Sequence, residues 1–188
     1  MKNINSLKYQ LLFFYKEKLI SKNNIWKKEK NGEEKIREEI IPISNKTKVI
    51  SIWNSNKKLF YMYSPEKNSG RGGKINYEPN LEGSKNNLLK ESESIKKLNP
   101  VIVGRETLDG KDCLIIETTV DGNKIKHWVW IEYGLSIMII DAPIKSEAKR
   151  REIEVNIDIP DNLFELPAEI QITSSIPSVS RKISPPER

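Results

Sequence analysis

The side chains that most often carry catalysis are scarce in this sequence. Among 188 residues there is one cysteine, Cys113, and one histidine, His127. A thiol and an imidazole can act as nucleophile and base, but nothing in the sequence places these two side chains together. Cys113 lies in an apolar, strand-forming run, where a small buried hydrophobic side chain is the usual explanation. A lone cysteine also excludes an intramolecular disulfide and a cysteine metal cluster.

Acidic side chains and glycines show no stronger catalytic pattern. No pair of carboxylates has a spacing that argues for acid–base catalysis among Glu106, Asp112, Glu117 and Glu132. The Ser-Gly-Arg-Gly-Gly run at 69–73 lacks the phosphate-binding pattern, and no helix follows it directly, so a mobile loop is expected there. We therefore predict no catalytic residue, no metal site, no cofactor and no enzymatic activity. An enzyme would require Cys113 and His127 to meet in one pocket.

Charge is abundant but mixed in sign. The net charge is +6 and the isoelectric point is about 9.2, values that suit a nucleic-acid-binding protein. Lysines and glutamates are interspersed, however, for example at 27–35, which dilutes any one-sided field. We expect a solvated mixed-charge surface and no nucleic-acid partner, with contact to an anionic membrane as an alternative. The Lys149-Arg150-Arg151 cluster is expected either to bind anionic lipid or phosphate or to be a solvated cluster at the start of a strand.

Short β-type segments separated by tight turns dominate the pattern. Asp109-Gly110 and Asp121-Gly122 are hairpin dipeptides. In this half of the chain, strands are predicted at 101–107, 111–120, 124–132, 136–141 and 149–157. In the first half, the turn Asn31-Gly32 separates predicted strands, which are expected at 19–28, 35–43, 48–53 and 57–63. Residues 7–15 alternate as a strand, which we favour, although a helical stripe competes through Leu7, Leu11, Leu12, Tyr15 and Leu19.

One helix is predicted at 84–98, with Ser84 as its N-cap and Pro100 beyond its end. Residues 64–83 are predicted to be a loop, residues 174–188 a disordered tail, and residues 1–173 a single domain. A long antiparallel sheet with one helix must curl to hide its apolar face. The sequence therefore predicts a mainly β (α+β) fold, in which a strongly curved antiparallel sheet, or incomplete β-barrel, wraps around one or two helices.

Four short motifs follow one another along the chain. They are Trp26 followed by Gly32 and Lys-Ile-Arg-Glu-Glu at 35–39, Gly-Arg-Glu-Thr with Asp-Gly-Lys-Asp-Cys at 104–113, His-Trp-Val-Trp-Ile with Gly-Leu at 127–135, and Ile-Pro-Asp-Asn-Leu-Phe-Glu-Leu-Pro at 159–167. In this order they resemble the LolA/LolB-like family of bacterial outer-membrane lipoprotein-sorting proteins, and the likeness covers most of 7–171. The chain resembles an N-terminally shortened member, and Ser136 stands where the family usually has proline.

The resemblance implies a helical lid over an apolar cavity that holds acyl chains, each buried CH₂ contributing about 0.8 kcal/mol. Aromatic side chains are expected to line that cavity, or alternatively to fill the space between sheet and helix: Phe13, Trp26, Trp53, Phe60, Tyr61, Trp128 and Trp130. Arg37 is expected to donate an orienting hydrogen bond to the lid or to a polar head group. The alternative for Arg37 is an ion pair with a neighbouring glutamate.

The predicted function is that of a non-enzymatic binding, carrier or sensor protein of the bacterial envelope. Its partner would be a lipid or an acylated protein, with an envelope protein partner and peripheral membrane contact as further possibilities. The alternative is a protein–protein interaction module of an envelope regulator with no lipid cargo. Its location is expected to be periplasmic or membrane-anchored if an export signal precedes residue 1, and is otherwise undetermined.

Overall fold

The computed structural model describes residues 2–75 and 91–174. Strands make up most of this part of the chain: β1 (Ser6–Tyr15), β2 (Lys18–Lys30), β3 (Glu33–Pro42), β4 (Val49–Asn54), β5 (Leu59–Ser64), β6 (Ser69–Lys74), β7 (Val101–Leu108), β8 (Lys111–Val120), β9 (Asn123–Trp130), β10 (Leu135–Asp141), β11 (Ser146–Val155) and β12 (Gln171–Ser174). The helix α1 spans Glu91–Lys97, and short 3-10 turns lie at Pro65–Lys67 and Asp161–Phe164.

All these strands belong to one sheet, in the order β12-β6-β5-β4-β3-β2-β1-β11-β10-β9-β8-β7. Neighbouring strands are antiparallel, except that β12 runs parallel to β6. The sheet does not close, because β12 and β7 form its two ends. These observations confirm the predicted fold class, a curved sheet that forms an incomplete barrel. The strands predicted within 7–63 and 101–157 are all present, with their ends shifted by three residues or fewer.

The two faces of the sheet follow from the alternation of side chains in β1. Leu7, Tyr9 and Leu11 are buried and the residues between them are less so, which confirms the strand and not the helix. Tyr9 pairs directly with Ile25, and directly paired residues lie on the same side of a sheet. We call the side that carries these residues the Tyr9 face. The opposite side carries Trp26, which follows Ile25 in β2, and we call it the Trp26 face.

Each face is covered by a different segment. Residues 157–170 cover part of the Trp26 face, where Ile159, Phe164 and Ile170 pack on Ile52 and Tyr63. Helix α1 lies over the Tyr9 face and contacts β10 and β11. Part of the sheet is therefore buried on both sides, most clearly β4, in which every residue from Ile50 to Asn54 is buried.

The loop predicted at 64–83 is wrong over Ser69–Lys74, which form β6. Gly70 pairs with Tyr63 of β5. A Cβ atom at Gly70 would lie 2.5 Å from the Tyr63 Cβ and 2.6 Å from the Met62 carbonyl oxygen. Glycine therefore permits a close approach between the two strands here, whereas in the sequence the same glycines indicate a loop.

The predicted helix at 84–98 is confirmed over Glu91–Lys97. Its residues 84–90 lie outside the described residues, as do 76–83 of the predicted loop and 175–188 of the predicted tail. The strand β12 ends at Ser174, where the tail is predicted to begin. Within 2–75 and 91–174, no helix is long and apolar enough to cross a membrane.

Candidate ligand-binding site

The aromatic residues predicted to line one cavity are distributed over both faces of the sheet. Trp53 and Phe60 are direct partners on β4 and β5, and they form one buried cluster with Ile36 and Ile75. Lys27 follows Trp26 in β2 and therefore lies on the opposite face, the Tyr9 face. Ile36 pairs directly with Lys27, so this cluster also lies on the Tyr9 face.

Trp26 and Tyr61 lie on the opposite side of the same strands. Both pack against the cluster that the 157–170 segment covers. Tyr61 also borders a small pocket of about 190 Å³, together with Ile52 and Phe164. These two aromatic side chains therefore pack beneath the C-terminal segment and do not meet Trp53 and Phe60.

The remaining predicted aromatics lie elsewhere. Trp128 is buried in a cluster with Cys113 and Met138, and its indole nitrogen donates a hydrogen bond of 2.6 Å to Glu106 Oε1. Trp130 packs beside this cluster. Phe13 lies near the end of β1 and is 36% exposed.

Arg37 lies on the Trp26 face, because it pairs directly with Trp26. Its guanidinium donates hydrogen bonds of 2.7 and 3.0 Å to Glu39 Oε1, 3.2 Å to the Leu163 carbonyl oxygen and 3.4 Å to Tyr63 Oη. Burial raises the pKa of the Tyr63 phenol, although Arg37 opposes that shift. Arg37 therefore pairs with a neighbouring glutamate and fastens the C-terminal segment, on the face opposite to helix α1.

A buried ion pair fastens helix α1 to the Tyr9 face. Arg150 of β11 donates from Nη1 to both carboxylate oxygens of Glu91, at 3.1 and 3.0 Å, and to the Ser136 carbonyl oxygen at 2.5 Å. The Arg150 guanidinium also lies 5.1 Å from the centre of the Tyr9 ring. The basic cluster at 149–151 is thus not a uniformly solvated strand entry, because its central arginine is 5% exposed.

Further polar side chains are buried on the Tyr9 face. Asn23 Nδ2 donates a hydrogen bond of 3.0 Å to Glu38 Oε1. Ser51 of β4 pairs directly with Glu38 of β3. Across the sheet, Thr118 Oγ1 lies 3.1 Å from His127 Nε2. Together with Tyr9 and Arg150, these residues form a band that crosses the sheet, and we call it the polar belt: Ser51, Glu38, Asn23, Tyr9, Arg150, His127 and Thr118.

Three atoms of the polar belt are buried without a hydrogen-bond partner in the described part of the chain. They are Ser51 Oγ, Asn23 Oδ1 and His127 Nδ1. A buried polar atom without a partner costs stability and calls for an explanation, such as an ordered water molecule or a ligand. The polar belt therefore presents buried polar atoms that need a further partner, on the face that helix α1 covers.

The electrostatics of the belt keep His127 uncharged near neutral pH. Burial and the nearby Arg150 guanidinium lower the pKa of the imidazole below its ordinary value of 6.5. Cys113 lies in the Trp128 cluster on the other face of the sheet, and burial raises the pKa of its thiol. The two side chains therefore do not meet, and no group of three or more His, Cys, Asp or Glu side chains in the described ranges could hold a metal ion.

The polar belt is not among the features predicted from the sequence, although the sequence contains part of the pattern that indicates it. In β2, Asn23 and Lys27 are each two residues from Ile25 and lie on the same face as Ile25. In β3, Glu38 is two residues from Ile36 and lies on the same face as Ile36. Polar residues at inward positions of an alternating strand indicate a buried polar site. The pairing of Glu91 with Arg150, 59 residues apart, has no such local signal.

No known family profile matches the chain. An uncharacterized protein of Methanocaldococcus jannaschii is 27% identical over 116 residues, which are 57% of this chain and 32% of that protein. The chain thus spans about a third of the length of this relative.

Several solved structures share the fold. An uncharacterized conserved protein from Thermus thermophilus aligns with a TM-score of 0.59 at 9% identity, over 90% of each chain. MucB, in a complex with MucA(peri), aligns with a TM-score of 0.54 at 11% identity, over 89% of this chain and 56% of its own. LprF from Mycobacterium bovis aligns with a TM-score of 0.54 at 10% identity, over 85% and 90%. At such identities the likeness shows the fold alone, and membership of the LolA/LolB-like family stays a prediction.

Proposed function

We propose that this chain is a non-enzymatic binding protein that holds an amphiphile, a lipid or a lipoprotein acyl chain, between its Tyr9 face and helix α1. The observation that carries this proposal is the polar belt, in which Ser51 Oγ, Asn23 Oδ1 and His127 Nδ1 are buried without a hydrogen-bond partner among the described residues. The belt lies among apolar side chains of the same face, such as Leu7, Leu11 and Ile36. An apolar tail with a polar head group matches that combination.

The energetics favour such a ligand over water alone. Each CH₂ group moved out of water contributes about 0.8 kcal/mol. A buried polar atom without a partner costs about 1–3 kcal/mol, and a head group that supplies the missing hydrogen bond recovers part of that cost. Of the aromatic residues predicted to line the cavity, Phe13, Trp53 and Phe60 share the Tyr9 face and are assigned to the apolar tail.

The same proposal places the protein in the cell envelope, at an extracytoplasmic surface. The support is the resemblance of four sequence motifs to lipoprotein carriers, together with the fold that the chain shares with MucB and LprF. A lipid or an acylated protein is the partner in this proposal.

Two neighbouring asparagines provide a matched test. Asn23 lies on the Tyr9 face and Asn24 on the Trp26 face, where its Oδ1 accepts a hydrogen bond of 3.3 Å from Gln10. The full chain is purified without detergent and analysed by native mass spectrometry and by lipid extraction, and the delipidated protein is titrated with a fluorescent fatty acid. We expect a co-purifying lipid, and we expect Asn23→Ala to weaken fatty-acid binding while Asn24→Ala does not.

The outcomes separate clearly. Absence of bound lipid together with no saturable fatty-acid binding would overturn the proposal, as would equal effects of Asn23→Ala and Asn24→Ala. Circular dichroism melts establish that both variants fold. If Asn23→Ala unfolds, Ser51→Ala serves in its place, because Ser51 is fully buried on the same face.

A second function, binding of a protein partner, is favoured by the edge strand β7. Val101, Ile102 and Val103 are 62%, 64% and 49% exposed at the end of the sheet. An exposed apolar edge can pair with an extended segment of another protein. A photo-crosslinker at Ile102, compared with one at Lys57 between β4 and β5, distinguishes the two functions in cells. Protein adducts at Ile102 favour the interaction module, and their absence argues against it.

A further inference from the structure

The large apolar side chains that remain exposed are concentrated at one end of the sheet. Because neighbouring strands alternate in direction, the connections 16–17, 43–48, 65–68, 121–122 and 142–145 and the start of β7 all lie at the same end. We call this end the upper rim. The opposite rim is formed by Asn31-Gly32, 55–58, Asp109-Gly110 and 131–134.

Ten large apolar side chains of the described residues are at least 36% exposed: Phe13, Tyr15, Ile20, Ile43, Leu98, Val101, Ile102, Val103, Ile144 and Ile172. Nine of them lie within three residues of the upper rim along the chain, and Ile172 is near it because it pairs with Gly70, two residues after the 65–68 connection. None of these ten lies at the opposite rim. Scattered exposed apolar residues need no explanation, but their concentration at one end of a molecule marks an interaction surface.

Three connections form the centre of the upper rim. The backbone N–H of Lys16 donates to the Lys145 carbonyl oxygen at 2.8 Å, which joins the β1–β2 turn to the β10–β11 turn. The N–H of Ile43 donates to the Ile20 carbonyl oxygen at 3.0 Å, which joins the β3–β4 connection to β2. Phe13, Tyr15, Ile20, Ile43 and Ile144 therefore belong to neighbouring parts of one surface.

Lysines surround these apolar side chains. Lys16, Lys46 and Lys145 are exposed in the same three connections, and Lys18 is exposed at the start of β2. The acidic residues here are Glu17 in a turn and Asp141 at the end of β10. The Lys16 ammonium lies 5.1 Å from the centre of the Tyr15 ring. Apolar and aromatic tips among ammonium groups are the combination that binds anionic lipid surfaces, because the tips enter the interface and the lysines meet phosphate groups.

We propose that the upper rim docks onto the surface of an anionic lipid bilayer. A bilayer suits this rim better than a folded protein does, because the apolar residues of the rim lie on separate turns. A fluid lipid interface accommodates such residues without a complementary shape. Docking of this kind is independent of any ligand beneath helix α1.

Vesicle flotation of the full chain tests the proposal. Vesicles of equal parts phosphatidylglycerol and phosphatidylcholine are compared with vesicles of phosphatidylcholine alone. We expect binding to the anionic vesicles, weakened by high salt. The variant K16E/K18E should lose about tenfold or more in affinity, whereas K57E/K58E, with the same charge change at the opposite rim, should bind as the unmodified protein does. The two pairs are matched, because Lys16 and Lys58 both have positive φ.

Tyr15→Ser with Ile144→Ser removes two exposed apolar tips and should also weaken vesicle binding, without a change of charge. Equal losses in K16E/K18E and K57E/K58E would overturn the proposal, because they indicate net charge alone. No vesicle binding at all, or self-association through the rim in sedimentation, would also overturn it. The ligand of the Tyr9 face is measured separately by lipid extraction, so failure of one proposal does not imply failure of the other.

Discussion

Arg150 of β11 and Glu91 of α1 form an ion pair in which both side chains are 5% exposed. Two charges out of water are stable only with good geometry and further hydrogen bonds, and here the guanidinium also donates to the Ser136 carbonyl oxygen. The Ser136 N–H lies 3.3 Å from Glu91 Oε1, which gives the carboxylate a second donor. The pair therefore fixes where helix α1 sits on the sheet.

Removal of one partner of this pair should be costly. Arg150→Met leaves the Glu91 carboxylate buried without its cation, and we expect the free energy of unfolding to fall by about 3–5 kcal/mol. Arg150→Met combined with Glu91→Leu should recover much of that loss, because neither charge then remains buried. Urea unfolding followed by tryptophan fluorescence measures all three proteins.

An exposed ion pair is the control for this prediction. Arg105 and Asp112 form a bidentate pair, but their side chains are 66% and 49% exposed. Arg105→Met should leave the free energy of unfolding nearly unchanged, because solvent screens the charges. Similar losses in Arg150→Met and Arg105→Met would contradict the assigned role of the buried pair.

The glycines of β6 should not tolerate a side chain. In Gly70→Ala the new Cβ would lie 2.6 Å from the Met62 carbonyl oxygen, so the two strands must separate. We expect a loss of about 1–3 kcal/mol in the free energy of unfolding. Gly104→Ala is the control, because the atom nearest to its Cβ would be Ile115 Cδ1, the end of a flexible side chain, at 3.3 Å, and the other contacts would be at 3.8 Å or more. Thermal melts of both variants suffice, and a neutral Gly70→Ala would disprove the tight approach.

The strands that carry local signals are predictable from the sequence. The hairpins at Asn31-Gly32, Asp109-Gly110 and Asp121-Gly122 all form, and each of these glycines has positive φ. Alternation in β1 correctly favours a strand over a helix, since Leu7, Tyr9 and Leu11 are buried together. These features depend on neighbours in sequence, so a single chain reveals them.

Features that depend on distant partners are not predictable in this way. The strand β6 pairs with β5 on one side and on the other with β12, about a hundred residues later in the sequence, so its glycines suggest a loop when considered alone. Alternation within each strand does not assign the aromatic residues to a common face, because the register between strands is not visible in the sequence. Trp26 and Trp53 share an expected role in the sequence but lie on opposite sides of the sheet.

The two hydroxyls of the polar belt should respond to removal with opposite signs. Ser51 Oγ is buried without a partner among the described residues, whereas Thr118 Oγ1 bonds to His127. In delipidated protein, Ser51→Ala should raise the free energy of unfolding by about 1 kcal/mol, while Thr118→Val should lower it by about 1–3 kcal/mol. If Ser51→Ala destabilises the delipidated protein, the hydroxyl has a partner and the proposed ligand contact loses its basis.

The folded protein should lose stability in mild acid because of His127. Burial and Arg150 lower the pKa of this imidazole in the folded state below the ordinary value of 6.5 that it recovers on unfolding. Above pH 6.5 both states are neutral at this residue; as the pH falls below that value, the unfolded state binds a proton that the folded state does not. The free energy of unfolding should therefore fall, by at most about 1.4 kcal/mol per pH unit, until the folded pKa is passed.

Urea midpoints at pH 7.5 and 5.5 measure this effect, and His127→Gln is the matched variant. His127 is the only histidine in the sequence, so no other imidazole titrates in this window. We expect the decrease between the two pH values to be clearly smaller in His127→Gln than in the unmodified protein. An equal decrease in both proteins would show that the imidazole is accessible or paired in the folded state, and that the polar belt is not closed to water.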